Sequence, residues 1–102
     1  MELIFLGDAG VYLPDRDAVQ ITALAHDRPV LCFVTRAGLI KAGADPTGDI
    51  MHQITFFERN RDRFETEIRR ISELRPSHSL IVDAGDLERE LFRDGNGRAE
   101  AP

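Results

Sequence analysis

The chain has 102 residues, of which 42% are apolar, and this size fits one domain with a single hydrophobic core. Its only cysteine is Cys32, so no disulfide can form within the chain, and its net charge of −5 argues against a nucleic-acid backbone as the main partner. The first residues lack the basic flank and the long apolar run of a signal peptide or membrane span, so we expect a cytoplasmic protein with no membrane contact.

Three strands are predicted in the first third of the chain. Residues 2–6 form a short apolar run that ends at a glycine-containing turn, and residues 11–17 form a connector. Residues 19–23 alternate apolar and polar side chains, the pattern of a strand with one buried face. Residues 30–34 are apolar throughout, which indicates a central strand covered on both faces. The polar residues between these two strands predict a hairpin.

Two helices are predicted after the hairpin. Thr35 can cap a short helix over residues 36–42, which Gly43 would end. Asp49 can cap a long helix over residues 50–75. The apolar residues of the long helix form one stripe, consisting of Ile50, Ile54, Phe57, Phe64, Ile68 and Ile71. Opposite charges four residues apart occupy the other face, pairing Arg61 with Glu65, Arg63 with Glu67, Glu65 with Arg69, and Arg69 with Glu73.

The last part of the chain predicts one more strand and a tail. Residues 79–82 are the strand, Asp86 can cap a short helical turn over residues 87–92, and residues 93–102 have the composition of a disordered C-terminal tail. The predicted fold class is therefore α+β, in a single domain over residues 1–92. Its small, mostly antiparallel sheet has its elements in the order β-β-β-α-α-β, with one long amphipathic helix packed on one face.

Three stretches of the chain form a recognisable order. Residues 12–23 combine an aromatic residue, an acidic-arginine turn and the alternating strand; residues 30–44 combine a cysteine-bearing strand and a short helix; residues 57–87 begin with Phe-Glu-Arg-Asn-Arg and end with an apolar strand and Asp-Leu. Together they resemble the bacterial family catalogued as domain of unknown function 1488. The resemblance implies a small α+β fold and leaves function open. The family often carries a histidine before the glycine that ends the short helix; this sequence has Ala42 there, so no role of that histidine carries over.

The candidate polar or anion site consists of Asn60, Arg61, Asp83 and Asp86. Arg61 falls within the apolar stripe of the long helix, and three interpretations are open. Its stem can lie on apolar neighbours while its charge reaches water. It can form a structural ion pair with Asp83, Asp86 or Asp17. Alternatively, the guanidinium can bind an anion or a partner, with Asn60 beside it.

No catalytic, cofactor or metal site is predicted. Cys32 lies in the strand expected to be most buried, where a thiol usually acts as a small apolar side chain. The histidines at positions 26, 52 and 78 lack metal-ligand spacing, and the glycine-containing residues 7–10 lack the helix and lysine of a nucleotide-binding loop.

Phe56 and Leu74 point in a second direction on the predicted long helix, away from the stripe. They can pack on the short helix or on residues 87–92, or they can form an exposed patch that contacts a protein partner or a second copy in a homodimer. The leading functional hypothesis is a non-enzymatic interaction or accessory module. The alternatives are a small-anion-binding regulatory sensor that uses Asn60 and Arg61, and a weak nucleic-acid-binding protein.

Overall fold

A computed structural model describes residues 2–87 of the chain. Its elements, in chain order, are β1 Ile4–Phe5, β2 Val11–Leu13, β3 Ala18–Ala25, β4 Arg28–Thr35, α1 Arg36–Ala42, α2 Ile50–Arg59, α3 Arg61–Leu74, β5 Ser79–Val82 and a single 3-10 turn, Ala84–Asp86. The predicted α+β class with a mostly antiparallel sheet is confirmed. Apart from Leu87, the helical turn predicted over residues 87–92 lies outside the described residues, as does the tail predicted over residues 93–102.

The sheet has the order β1-β3-β4-β5, and β2 also pairs with β3. All its pairings are antiparallel except that of β4 with β5, which is parallel. The prediction that residues 11–17 form only a connector is wrong. Their first three residues form β2, in which Tyr12 lies opposite Val19 of β3. A strand of three residues that is followed by Pro14 has little pattern of its own in the sequence, and its pairing with β3 stabilises it.

Residues 7–10 interrupt the edge of the sheet between β1 and β2. The backbone N–H of Thr22, in β3, faces this interruption and would lack a strand partner there. The carboxylate of Asp8 replaces that partner, since its two oxygens lie 3.1 and 3.3 Å from the nitrogen of Thr22. The interruption therefore places one acidic side chain at the sheet edge in a fixed orientation.

The predicted ends of α1 are confirmed. Oγ1 of Thr35 accepts the N–H of Gly38 at 3.0 Å, and Gly43 ends the helix with a φ of 129°. A Cβ on Gly38 would lie 3.1 Å from the carbonyl oxygen of Val82, so the glycine allows α1 to pack closely against the end of β5.

The prediction of a single long helix over residues 50–75 is wrong, because this segment forms two helices, α2 and α3, that are separated at Asn60. Asp49 caps α2 as predicted, and its Oδ1 accepts the N–H of His52 at 2.9 Å. Asn60, with φ −114° and ψ 21°, then ends α2 and precedes α3. Phe57 and Phe64 are both fully buried and their rings stack with centroids 5.4 Å apart. Seven residues of straight helix would rise about 10.5 Å, so the bend helps to bring these rings together over the sheet.

The helices pack on one face of the sheet. The buried residues of β3, β4 and β5 alternate along their strands and meet the apolar side chains of the helices in one core. Its largest fully buried apolar side chains are Phe57, Phe64, Ile21, Leu39, Ile68, Ile71 and Leu80.

Candidate functional site

Arg61 lies at the start of α3 and contacts three carboxylates. Its Nε donates to Oε2 of Glu65 at 2.9 Å, and its Nη1 donates to Oε1 of Glu58 at 3.2 Å. Its Nη2 lies 3.6 Å from Oδ1 of Asp8. We call these four residues the Arg61 cluster. The pairing of Arg61 with Glu65, four residues on, was predicted from the sequence and is confirmed.

The Arg61 cluster is largely shielded from water. The side chain of Arg61 is 16% exposed, and its guanidinium lies over the Phe57 ring, 5.7 Å from the ring centroid. Burial lowers the pKa of Arg61, but the hydrogen bonds to Glu65 and Glu58 outweigh this effect and raise the pKa above its ordinary value. The buried Nη2 makes no hydrogen bond among the described residues, so Asp8 balances its charge from just beyond hydrogen-bond distance.

The carboxylates of the Arg61 cluster are themselves held by the backbone. Oε2 of Glu58 accepts the N–H of Gly10 at 2.8 Å, and Asp8 accepts the N–H of Thr22. These bonds join the end of α2 and the sheet edge to the start of α3. A guanidinium that faces three fixed carboxylates has a surplus of negative charge around it, which disfavours a further anion.

The predicted ion-pair partners of Arg61 were wrong. Asp17 accepts a hydrogen bond from the hydroxyl of Tyr12. Asp83 and Asp86 lie at the end of β5, where they form a capping box around the 3-10 turn. The predicted grouping of Asn60, Arg61, Asp83 and Asp86 therefore splits between two parts of the fold, because Asp83 and Asp86 bond to other groups.

At the end of β5, hydrogen bonds tie the 3-10 turn to α1 and α3. Oδ1 of Asp83 accepts from the hydroxyl of Thr35 at 2.7 Å, and this bond, with that from the N–H of Ala84, lowers the pKa of Asp83. Asp86 pairs with Arg75 at 3.0 Å, and its carbonyl oxygen accepts from Arg70.

Glu67 departs from its predicted place on the solvated face of the long helix. It is buried, 1% exposed, and accepts two hydrogen bonds from Arg70 at 2.8 and 3.1 Å. Arg70 therefore links this buried carboxylate to the 3-10 turn, where it also bonds to the carbonyl oxygen of Asp86.

Asn60 has a structural position at the bend. Its Nδ2 donates to the carbonyl oxygen of Phe56 at 3.0 Å, and its own carbonyl oxygen accepts the N–H groups of Arg63 and Phe64. Its polar groups therefore complete the end of α2 and the start of α3. The prediction that Asn60 binds an anion together with Arg61 has little support from this geometry, because its amide nitrogen donates to the backbone.

Phe56 and Leu74, the predicted interface residues, have different surroundings. Phe56 is partly buried against the core and meets Phe64 edge to face, with centroids 6.3 Å apart. Leu74 is 67% exposed at the end of α3, in a shallow depression that Arg75 and Leu87 also line. The two residues therefore do not form one exposed patch.

Cys32 is fully buried in the core. Desolvation is the main cause that raises the pKa of its thiol to about 12, and the charges of Asp8 and Glu65 add to it. Among residues 2–87, no three histidine, cysteine or acidic side chains are grouped so that they could hold a metal ion. Within the same residues, no helix has the length and apolar character needed to cross a membrane.

The sheet face opposite the helices is the other candidate site. Residues that pair directly across neighbouring strands lie on the same face of the sheet. Ile4 therefore shares a face with Leu24 of β3, and Leu31 shares a face with Thr22. The parallel pairing of β4 with β5 adds Ile81 beside Phe33. We call this surface the open face; its strand residues are Ile4, Val11, Leu13, Ala18, Gln20, Thr22, Leu24, Pro29, Leu31, Phe33, Thr35, Ser79 and Ile81.

The open face is mostly apolar: its polar strand residues are Gln20, Thr22, Thr35 and Ser79, and none of its strand residues is charged, although 30% of the residues in the chain are charged. Four of its large apolar side chains are solvent-exposed, namely Ile4 at 63%, Val11 at 53%, Leu31 at 39% and Ile81 at 45%. The guanidinium of Arg16 lies 4.5 Å from the centroid of the Phe33 ring and covers it, which leaves Phe33 only 2% exposed. An apolar surface that spans β1 to β5 is unusual on a monomer and typical of a contact site.

The open face was not predicted from the sequence, because the apolar run of β4 indicates a strand that is covered on both faces. Residues 30–34 were expected to be covered on both faces, yet Leu31 is exposed and the helices lie on the other side. The signal was available in β3, where polar Gln20 and Thr22 alternate with buried residues and mark a face turned to water. Once β3 and β4 pair, that same face must include Leu31 and Phe33.

The fold is shared with a solved structure. The crystal structure of a protein of unknown function from the domain of unknown function 1488 family, from Shewanella loihica PV-4, superimposes with a TM-score of 0.70 and 17% sequence identity. The match covers 81% of this chain and 96% of that chain. The predicted resemblance is thus confirmed at the level of the fold. No family model matches the sequence, and no curated protein does so either.

Proposed function

We propose that the chain is a cytoplasmic, non-enzymatic interaction module that binds a protein partner through the open face. The observation that supports this proposal is the exposure of Ile4, Val11, Leu31 and Ile81 on one surface whose strand residues are all uncharged. Removing apolar area from water contributes about 25 cal/mol per Å², so covering these side chains provides a driving force for association. The edge of β5 borders the same surface and can add contacts.

The small-anion sensor has less support from the geometry. An incoming anion would compete with Asp8, Glu58 and Glu65 for the one guanidinium of Arg61, and two of these carboxylates already hydrogen-bond to it. Nucleic-acid binding also has little support, because the net charge is −5 and arginines such as Arg61 and Arg75 are paired with acids. Protein binding by the open face rests on apolar contacts, so unlike these two functions it does not require an arginine that is free of acidic partners.

Position-specific photo-cross-linking in cells tests the proposal. A photoreactive amino acid at Leu31, on the open face, should give a discrete protein adduct, whereas the same amino acid at Leu74 should not. Leu74 is the matched control because it is also an exposed leucine but lies at the end of α3.

Substitution of a second open-face residue shows whether the adduct depends on this surface. Ile4→Glu, made together with the photoreactive group at Leu31, should remove the adduct, because it places a charge in the apolar contact. The proposal fails if Leu31 gives no adduct, or if the adduct persists unchanged when Ile4 carries a charge.

A further inference from the structure

We infer that the partner is a second copy of this chain, whose open face packs against this one about a twofold axis. This inference rests on the proposed function and identifies its partner. In such a dimer the two sheets form the inner layers and the helices of both copies form the outer layers. Two sheets that pack face to face lie about 10 Å apart, with their strands turned by about 30° from one another.

The size of the open face fits a second sheet better than a peptide. The sheet is four strands wide where β2 or β1 pairs with β3, and β3 and β4 have eight residues each. The shorter strands β1, β2 and β5 bring the sheet to 25 strand residues, so at about 4.8 Å between strands and about 3.4 Å per residue this face covers about 400 Å². Two such faces with their rims reach about 1,000 Å², the lower bound of a specific interface. An extended peptide is only about one strand wide, about 4.8 Å, and would leave most of the face in water.

The charge distribution also favours a second copy on the open face. In a twofold interface each surface meets itself, so a surface with charges of one sign opposes its own association. The chain has a net charge of −5, yet the strand residues of the open face are all uncharged. Two copies can therefore meet there without placing carboxylates against carboxylates.

A shallow depression in the open face offers a place for a side chain of the facing copy. Arg16, Ala18, Phe33, Thr35 and Ile81 line this depression, which lies at the β5 side of the face. An apolar side chain of the facing sheet can enter this depression and lie beside the stacked pair of Arg16 and Phe33. Arg16 itself is exposed, so its charge can remain at the rim and in contact with water.

Sedimentation velocity of the purified full chain tests the inference. Over about 1–200 µM the wild type should pass from monomer to dimer with a Kd in the micromolar range, because interfaces near the lower size bound are typical of weak association. Leu31→Glu should weaken the dimer and raise its Kd at least tenfold. Leu31 lies in β4, whose backbone is paired on both sides, so this substitution reports on face packing and not on strand addition at the edge.

Two further variants make the result decisive. Ile4→Glu lies on another strand of the open face and should weaken the dimer as Leu31→Glu does, while Leu74→Glu should leave it unchanged. Thermal melting of each variant verifies that it is folded. A wild type that is monomeric at about 200 µM, or face variants that dimerise normally, would overturn the inference.

The cross-linking experiment separates failure of the inference from failure of the proposed function. A monomeric chain whose residue 31 cross-links to a different protein removes the second copy as partner and keeps the interaction module. A monomeric chain with no adduct at residue 31 removes both. A dimer whose residue 31 cross-links to its own chain supports both.

Discussion

Oδ1 of Asp8 lies 3.6 Å from Nη2 of Arg61, across the interruption in the edge of the sheet. Asp8 also accepts the N–H of Thr22, which that interruption leaves without a strand partner. One carboxylate therefore satisfies a backbone donor in β3 and balances a buried charge at the start of α3. This double role makes the Arg61 cluster a structural link between the sheet edge and the bend in the helices.

Replacing Arg61 with methionine should destabilise the fold by about 1–3 kcal/mol, between the values for exposed and for buried ion pairs. Methionine retains the apolar stem but leaves Asp8, Glu58 and Glu65 facing one another without a cation. Urea unfolding followed by circular dichroism measures the change. Arg59→Met, at the exposed last residue of α2 and two positions before Arg61, is the control and should change stability by at most about 0.5 kcal/mol. Equal effects of the two substitutions would contradict a structural role for the cluster.

Gly10→Ala should be more destabilising than Gly85→Ala. A Cβ on Gly10 would lie 2.8 Å from Cγ1 of Val19 and 3.2 Å from both Phe57 and Glu58, so we expect a loss of about 1–3 kcal/mol from overpacking. A Cβ on Gly85 has no neighbour within 4 Å, and this substitution should be close to neutral. Thermal unfolding of the two variants compares them directly. Similar melting temperatures would show that the Gly10 loop can move away from α2.

The elements that could be predicted from the sequence are those fixed by neighbours in the chain. The caps of α1 and α2 depend on Thr35, Gly43 and Asp49, which bond within a few residues of themselves. The pair between Arg61 and Glu65 is similarly local. Each involves groups that the helix or turn itself brings into contact, so a spacing rule is sufficient.

The parts that could not be predicted depend on contacts between distant segments. Asp8 and Arg61 are 53 positions apart, and only the interruption of the sheet edge aims Asp8 at the helix. The bend at Asn60 is likewise hidden, because Phe57 and Phe64 fit one apolar stripe with or without it. The environment of Leu31 follows from strand register, and an apolar run alone does not show which face is left uncovered.

Replacing Asp83 with alanine should lower stability at neutral pH, and the difference from wild type should shrink in acid. Hydrogen bonds from Thr35 and from the N–H of Ala84 lower the pKa of Asp83 below its ordinary value of 3.8. The stabilisation from the charged form is therefore complete above pH 3.8 and is lost as the pH falls through the lower pKa of the folded state. Urea unfolding at several pH values measures the difference.

The variant Asp83→Asn provides the control for this pH dependence. Neither asparagine nor alanine titrates, so the stability difference between these two variants should be the same at every pH. If wild type and Asp83→Ala lose stability in parallel below pH 3.8, the hydrogen bonds to Asp83 do not favour its charged form.

Cys32 should react with a disulfide reagent only when the fold opens. Its side chain is fully buried, and desolvation, with smaller effects from Asp8 and Glu65, raises the pKa of the thiol to about 12, so native protein offers neither access nor thiolate. We expect slow labelling at about pH 8, where a free thiol near its ordinary pKa reacts readily, and fast labelling in urea. Where opening is global, Arg61→Met should speed labelling by about tenfold for each 1.4 kcal/mol of lost stability, with Arg59→Met as the unchanged control. Rapid labelling of the folded wild type would show that β4 is accessible without unfolding, which is incompatible with the packing of Cys32 under the helices.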